Sequence, residues 1–327
     1  MMKPYIYLTR KLPEEAVKNL QASFQVNMWD RDDVAVPEDI LLAEAEKAHA
    51  LLTVVSDQIT GDLLRAGKNL KVVANMAVGF DNIDVEAATK QGIYICNTPD
   101  VLTETTADLT FALLTATARR IVEAAEFVKE GNWKSWSPFL LAGQDIYNKT
   151  IGICGMGKIG EGVARRAKGF GMEILYHNRT RKPETEQELG ARYRSLESLL
   201  ESSDFVVSLT PLTSETRHLF NQSAFRKMKS SAIFINASRG AVADEEALVH
   251  ALKTREIAGA GLDVFVEEPI SADHPLLKLP NVVALPHIGS ASLETRMVMI
   301  SVCVDNIERV LKGKEPRTIV NPGLLQA

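Results

Sequence analysis

An α/β protein of two domains, each built on a mostly parallel sheet, is what the sequence predicts, and three observations carry the prediction. Short apolar runs alternate with helical patterns almost from end to end. At 327 residues the chain exceeds one ordinary hydrophobic core. The alternation also breaks once, just after "CNTPDVL", and resumes at "TIGICG".

Taken in order, "YIYLTR", "FQVNMW", "ALLTVV", "KVVANM" and "IYICNT" have the short apolar character of buried strands. Between them "PEEAVKNLQ", "PEDILLAEAEKA", "TGDLLRAG" and "DVEAATKQG" space their apolar residues as helices do. Such alternation calls for right-handed crossovers and parallel pairing. Residues 101–130 contain neither proline nor glycine and suit one long helix. The next stretch, "GNWKSWSPFLLAGQDIYNK", has two tryptophans and no usable period. Strands then return as "TIGICG", "EILYHN", "FVVSLT", "AIFINAS", "GAGLDVF" and "VVALP". A last helix, "SLETRMVMISVCVDNIERVLKG", lacks a partner strand in the second half and is expected to return to the first domain. The expected division is discontinuous, with about 1–99 and 289–327 in one domain and about 100–288 in the other.

Bulk properties remove several classes of function. A net charge of −5 argues against a nucleic-acid surface, which would be basic. No apolar run reaches the roughly 18 residues of a membrane span, and the first residues lack the apolar centre of a signal peptide. Cys96, Cys154 and Cys303 are far apart in apolar contexts, as expected of buried thiols in a reduced, cytoplasmic protein. No metal site is expected, because His49, His177, His218, His250 and His274 lack ligand spacing. His49 and His250 read as positions on amphipathic helices.

"TIGICGMGKIGEGVARRAKGFG" places Gly155, Gly157 and Gly160 between a strand and a helix whose inward positions read as Ile159, Val163, Ala164, Ala167 and Phe170. In that setting Gly155 allows a tight turn, Gly157 lets backbone approach a pyrophosphate, and Gly160 lets helix and sheet pack closely. The helix amino terminus adds free N–H groups and positive potential for phosphates. A Rossmann-type dinucleotide domain is therefore expected. Where an NAD-binding fold ends its second strand in an acid, this chain reads "ILYHNRTRKP", with Asn178, Arg179, Thr180 and Arg181. A 2′-phosphate wants guanidinium and hydroxyl donors and would be repelled by a carboxylate. NADPH is thus expected to be preferred, with NADH as the second option; the other reading of the arginines is a solvated loop.

Three fragments at strand ends share the second half. "INASRGAVADEEAL" puts Arg239 after a strand and before a helix that Asp244 can cap. "GLDVFVEEP" puts Asp263 near a strand end and Glu268 in the loop beyond, and "LPHIGS" puts His287 after the next strand. Ligands of open parallel sheets bind outside the carboxyl ends of the strands, where these three loops would meet.

With "AVGFDNID", "TETTADLTFALL", "GMGKIG", "LTPLTSETRHLF", "NASRGAVADEEAL", "GLDVFVEEP" and "PHIGSAS" in this order, nearly the whole chain resembles the D-isomer-specific 2-hydroxyacid dehydrogenase family, glyoxylate/hydroxypyruvate reductase branch. The resemblance implies a flavodoxin-like substrate domain beside an NAD(P)-binding domain. It implies a catalytic trio of Arg239, Glu268 and His287, with His287 as general acid. Substrate carboxylate would meet Arg239 and the backbone of Val78 and Gly79, with Ser290 placed to assist. Cofactor contacts would come from Thr106, Met156, Lys158, Ile159, Thr210, Pro211, Ala237, Asp263 and Gly289. A dimerisation arm would span about 101–148, with Trp136 entering the partner's substrate site; packing within one chain is the alternative for its aromatics. The implied activity is NADPH-dependent reduction of glyoxylate and hydroxypyruvate. Alternatives are a reductase of 2-ketogluconate, a D-3-phosphoglycerate dehydrogenase, and a non-catalytic dinucleotide sensor of the corepressor kind.

Overall fold

Twelve strands in two parallel sheets organise the described residues, 3–325, of the computed structural model. The chain divides into Met1–Leu102 with Ala291–Ala327, and Thr103–Ser290.

In the first unit β1 (Tyr5–Leu8), β2 (Gln25–Met28), β3 (Ala50–Thr53), β4 (Val72–Asn75) and β5 (Tyr94–Cys96) lie in the order β2-β1-β3-β4-β5, all parallel. Every residue of β3 and β4 is buried, which is why these strands show no alternation and are apolar up to their last residues, Thr53 and Asn75. Edge strand β2 alternates exposed and half-buried positions. The helix Leu293–Leu311 packs on β3, β4 and the helix Glu14–Ser23, and Ser292 caps it by accepting from the Thr295 N–H at 3.1 Å. The free edge of β5 is closed by the segment near the carboxyl end. Val320 donates to the Ile95 carbonyl, and the Asn321 side chain takes the Ile95 N–H at 2.9 Å.

The second unit holds β6 (Thr150–Cys154), β7 (Glu173–His177), β8 (Arg192–Tyr193), β9 (Phe205–Ser208), β10 (Ile233–Asn236), β11 (Gly259–Leu262) and β12 (Val282–Ala284). Their order, β12-β11-β10-β9-β6-β7-β8, reverses direction beside β6, and that switch point is where a doubly wound sheet opens a ligand crevice. The two-residue β8 is too short to read from the sequence.

The expected single helix over 101–130 is two, Thr103–Ala118 and Ile121–Lys129, broken at Arg120 with φ 54°. The cause is tertiary. Gln144 donates its N–H to the Ala118 carbonyl at 2.8 Å, taking an acceptor that a continuing helix would need. Gly143 approaches so closely that a Cβ there would lie 2.2 Å from the same oxygen. The first helix buries Ala107, Phe111, Leu114 and Ala118, whereas the second buries nothing. Two smaller expectations also need correction. Phe170 does not point inward: it caps the helix Lys158–Gly169, is 43% exposed, and rests its ring on Phe111 at 4.9 Å. His49 is not helical; it precedes β3, and its Nδ1 accepts the Tyr5 N–H at 3.1 Å.

Candidate active site

Three neighbouring strands, β10, β11 and β12, release the loops that bear Arg239, Glu268 and His287. The Glu268 carboxylate lies 2.7 Å from His287 Nδ1, and its other oxygen accepts the Phe265 N–H at 2.9 Å. That pairing makes Nδ1 the protonated donor and leaves Nε2 for another partner. Burial alone would raise the Glu268 carboxyl, but the hydrogen bond and charge of His287, the Phe265 N–H and the charge of Arg239 outweigh it. The group is held below the usual carboxylate range.

His287 stands in the left-handed region, with φ 53°. The turn is fixed from below by Asp263, which is 1% exposed and accepts the Ile288 N–H at 2.8 Å and the Gly289 N–H as well. Burial raises the Asp263 carboxyl despite these bonds. A Cβ on Gly289 would come within 3.2 Å of Asp263 and 3.3 Å of Thr106, so those three residues converge.

The loop of Arg239 is equally constrained. Its own carbonyl accepts from the Asn236 side chain at 2.9 Å, and its guanidinium donates to the Ser238 carbonyl at 2.8 Å. Gly240 lies against the backbone of the Glu268 loop, where a Cβ would be 1.9 Å from the Phe265 carbonyl carbon. Only glycine allows the two loops to come this close. Ala237 and Ser290 are half-buried in these loops.

The glycine loop after β6 has the close approaches and the open backbone that a dinucleotide pyrophosphate needs. Gly155 has φ 100°, and a Cβ there would lie 2.6 Å from Leu209 backbone. At Gly160 a Cβ would be 2.4 Å from the Gly155 carbonyl oxygen, the close helix–strand approach that the spacing implied. A Cβ at Gly157 would meet no protein atom within 4 Å, so the backbone there is open to a ligand. Nearby, Thr210 Oγ1 is buried without a hydrogen-bond partner among the described residues. Pro211 follows it, and Lys158 and Ile159 begin the helix whose amino end faces this loop. The Asn178 side-chain oxygen accepts the Met156 N–H at 2.7 Å, bracing the loop itself. Arg179 is 83% exposed, 3.5 Å from Glu215, with Thr180 exposed beside it. Arg181 is committed to Glu186 through two hydrogen bonds of 2.7 Å. The arginine bond and a Tyr176 hydroxyl bring the Glu186 carboxyl down to about 2.

In the first unit, Val78 and Gly79 form a half-buried turn after β4. Trp136 lies in an exposed segment of the second unit and is itself 78% exposed. Among the described residues no cluster of His, Cys, Asp and Glu could hold a metal ion, and no helix is long and apolar enough to cross a membrane. Sequence reasoning did not find the grip of Asp263 on the His287 turn or that of Asn178 on Met156. The one available signal was an acid, Asp263, directly after an apolar strand.

Comparison with known proteins adds a decisive observation. The profile of the D-isomer specific 2-hydroxyacid dehydrogenase, NAD binding domain, matches residues 111–289. Over 328 residues the sequence is 50% identical to the glyoxylate reductase of Thermococcus onnurineus, covering 99% of this chain and 98% of that one. The chain belongs to the D-isomer-specific 2-hydroxyacid dehydrogenase family. Within it, the chain falls in the glyoxylate/hydroxypyruvate reductase branch. A Thermus thermophilus protein of known structure superposes with a TM-score of 0.91 at 45% identity, covering 97% of this chain and 99% of that one. The NADPH-dependent glyoxylate/hydroxypyruvate reductase of Sinorhizobium meliloti, solved with NADP and malonate, gives a TM-score of 0.85 at 34% identity, with 97% of each chain covered. With family membership comes the reaction class, that of an NAD(P)-dependent dehydrogenase.

Proposed function

We propose that this enzyme reduces small 2-keto acids, glyoxylate and hydroxypyruvate foremost, to glycolate and D-glycerate, with NADPH as the preferred reductant. The observation that carries the proposal is the His287–Glu268 pair at 2.7 Å, held on a turn anchored by Asp263, in the unit that also bears the glycine loop. When bound, the nicotinamide supplies hydride to the ketone carbon. The oxygen then gains negative charge that is too basic to remain free at neutral pH, and a proton must arrive as the charge develops. His287, as imidazolium, gives that proton from Nε2. Glu268 keeps the ring oriented through Nδ1. Arg239 holds the substrate carboxylate and polarises the ketone, and the N–H groups of Val78 and Gly79 act as carboxylate donors. Ser290 assists with substrate polar groups.

Met1–Leu102 with Ala291–Ala327 serves as the substrate domain, and Thr103–Ser290 as the cofactor domain. Gly155 to Gly160 cradle the pyrophosphate, with Thr210 and Pro211 alongside. Thr106, Ala237, Asp263 and Gly289 border the nicotinamide. Since Asn178 braces Met156 and Arg181 holds Glu186, the 2′-phosphate falls to Arg179 and Thr180. The protein works in the cytoplasm, as three buried free thiols suit. It is a homodimer in which Trp136 reaches the partner's substrate site and narrows it.

Steady-state rates on glyoxylate, hydroxypyruvate, 2-ketogluconate and 3-phosphohydroxypyruvate, each with NADPH and NADH, test the reading. The highest kcat/KM is expected for the first two substrates with NADPH. Preference for NADH, for a larger keto acid, or no turnover at all would overturn it.

A further inference from the structure

The turn at Val78 and Gly79 has an uneven hydrogen-bond record. Three consecutive carbonyls are tied back into the fold: Ala77 accepts the Thr98 N–H at 2.8 Å, Val78 accepts from the Asn97 side chain at 2.9 Å, and Gly79 accepts from the Asn75 side chain at 3.0 Å. Among the described residues, no acceptor takes the N–H of Val78 or of Gly79. A peptide plane whose carbonyl is fixed has its neighbouring N–H fixed too, because the peptide is planar. The Asn97 amide, through the Val78 carbonyl, thus aims the Gly79 N–H, and the Thr98 N–H, through the Ala77 carbonyl, aims that of Val78.

The support behind them is continuous. Asn75 is fully buried and satisfied, with its oxygen accepting the Thr53 hydroxyl at 3.0 Å and its amide also donating to Asn82 at 3.2 Å. Asn82 in turn donates to the carbonyls of Asp57 at 2.8 Å and Val54 at 3.3 Å. Asp57 closes that loop by accepting the Val54 N–H at 2.8 Å and a 3.0 Å bond from Arg10. Such a fully paired buried network is stiff, since any slip would strand a polar group without water.

We infer that Asn97 is a positioning residue for substrate binding: it pins the Val78 carbonyl so that the Gly79 N–H in the same peptide plane is already oriented toward a carboxylate, while Asn75 holds the far side of Gly79 through its carbonyl. The inference deepens the function proposed above and rests on those N–H groups being carboxylate donors. Asn97 is the better probe, being half-buried at the sheet edge rather than in the core. Asn97→Asp keeps its shape but removes the donor and sets a negative charge against the Val78 carbonyl; Asn97→Ser is the uncharged counterpart.

The experiment measures oxalate affinity by calorimetry, KM and kcat for glyoxylate, NADPH affinity, and the amide resonances of Val78 and Gly79 during oxalate titration. In the parent protein both resonances are expected to move. In each variant oxalate affinity should weaken and the glyoxylate KM rise by about tenfold, the scale of one misdirected hydrogen bond, while kcat and NADPH affinity hold. Resonances that move in the parent, with variants that bind oxalate as tightly, overturn the positioning role and leave the carboxylate reading standing. Resonances that stay still in the parent overturn the carboxylate reading, and this inference with it. Equal loss of NADPH and oxalate affinity also overturns it, since that marks general damage to the fold.

Discussion

His287 occupies a backbone region that costs an L-residue about 1–2 kcal/mol, and the Ile288–Asp263 bond shows what holds it there. A proton donor on an ordinary flexible loop would spend most of its time misaligned. Here the ring is fixed at Nδ1 by Glu268 and the turn by a buried acid. Glu268 carries the clearest pH consequence. Its carboxyl is depressed in the folded chain, so the stability it adds is present above the unfolded glutamate value and is lost as pH falls through the lower folded one. Glu268→Gln should therefore melt below the parent at neutral pH, with the gap closing in acid. In the same variant the ring loses the partner that fixes Nδ1, so kcat for reduction should fall at neutral pH while NADPH affinity holds. A kcat equal to the parent's would remove Glu268 from the mechanism.

Elements set these residues in place, and some were easier to read than others. Doubly buried strands such as β3, β4 and β9 were plain as apolar runs, and the glycine loop was plain because each glycine meets a different constraint. Arg239, Glu268 and His287 were legible as residues just past three strands that prove to be neighbours. Less could be read where tertiary contacts decide. The helix break at Arg120 depends on Gln144 and Gly143, more than twenty positions onward, and no local breaker announces it. Asn178 reads as a cofactor residue from its position, and its hydrogen bond to Met156 becomes visible only in the folded loop. Gly155→Ala is the test at this scale. The added methyl faces both a left-handed φ and the Leu209 backbone, so NADPH affinity should fall by about tenfold or more. Unchanged affinity would mean that the loop does not hold the dinucleotide.

For the whole molecule, the helix Ile121–Lys129 without a buried residue and the exposed Trp133, Trp136 and Phe139 belong to one continuous stretch of chain. Large apolar side chains gathered this way fit a surface that another copy covers. Sedimentation at micromolar concentration should give a dimer, and Trp136→Ala should improve kcat/KM for bulky keto acids relative to glyoxylate. A monomer would remove the arm from the account. The central claim concerns proton supply, and His287→Ala tests it most directly by comparing NADPH oxidation in the presence of glyoxylate with NADPH binding in its absence. Turnover should fall by about 10²–10⁴-fold, the usual worth of a general acid, while binding stays near that of the parent. Turnover within about tenfold of the parent would contradict the account, because the proton would then come from elsewhere.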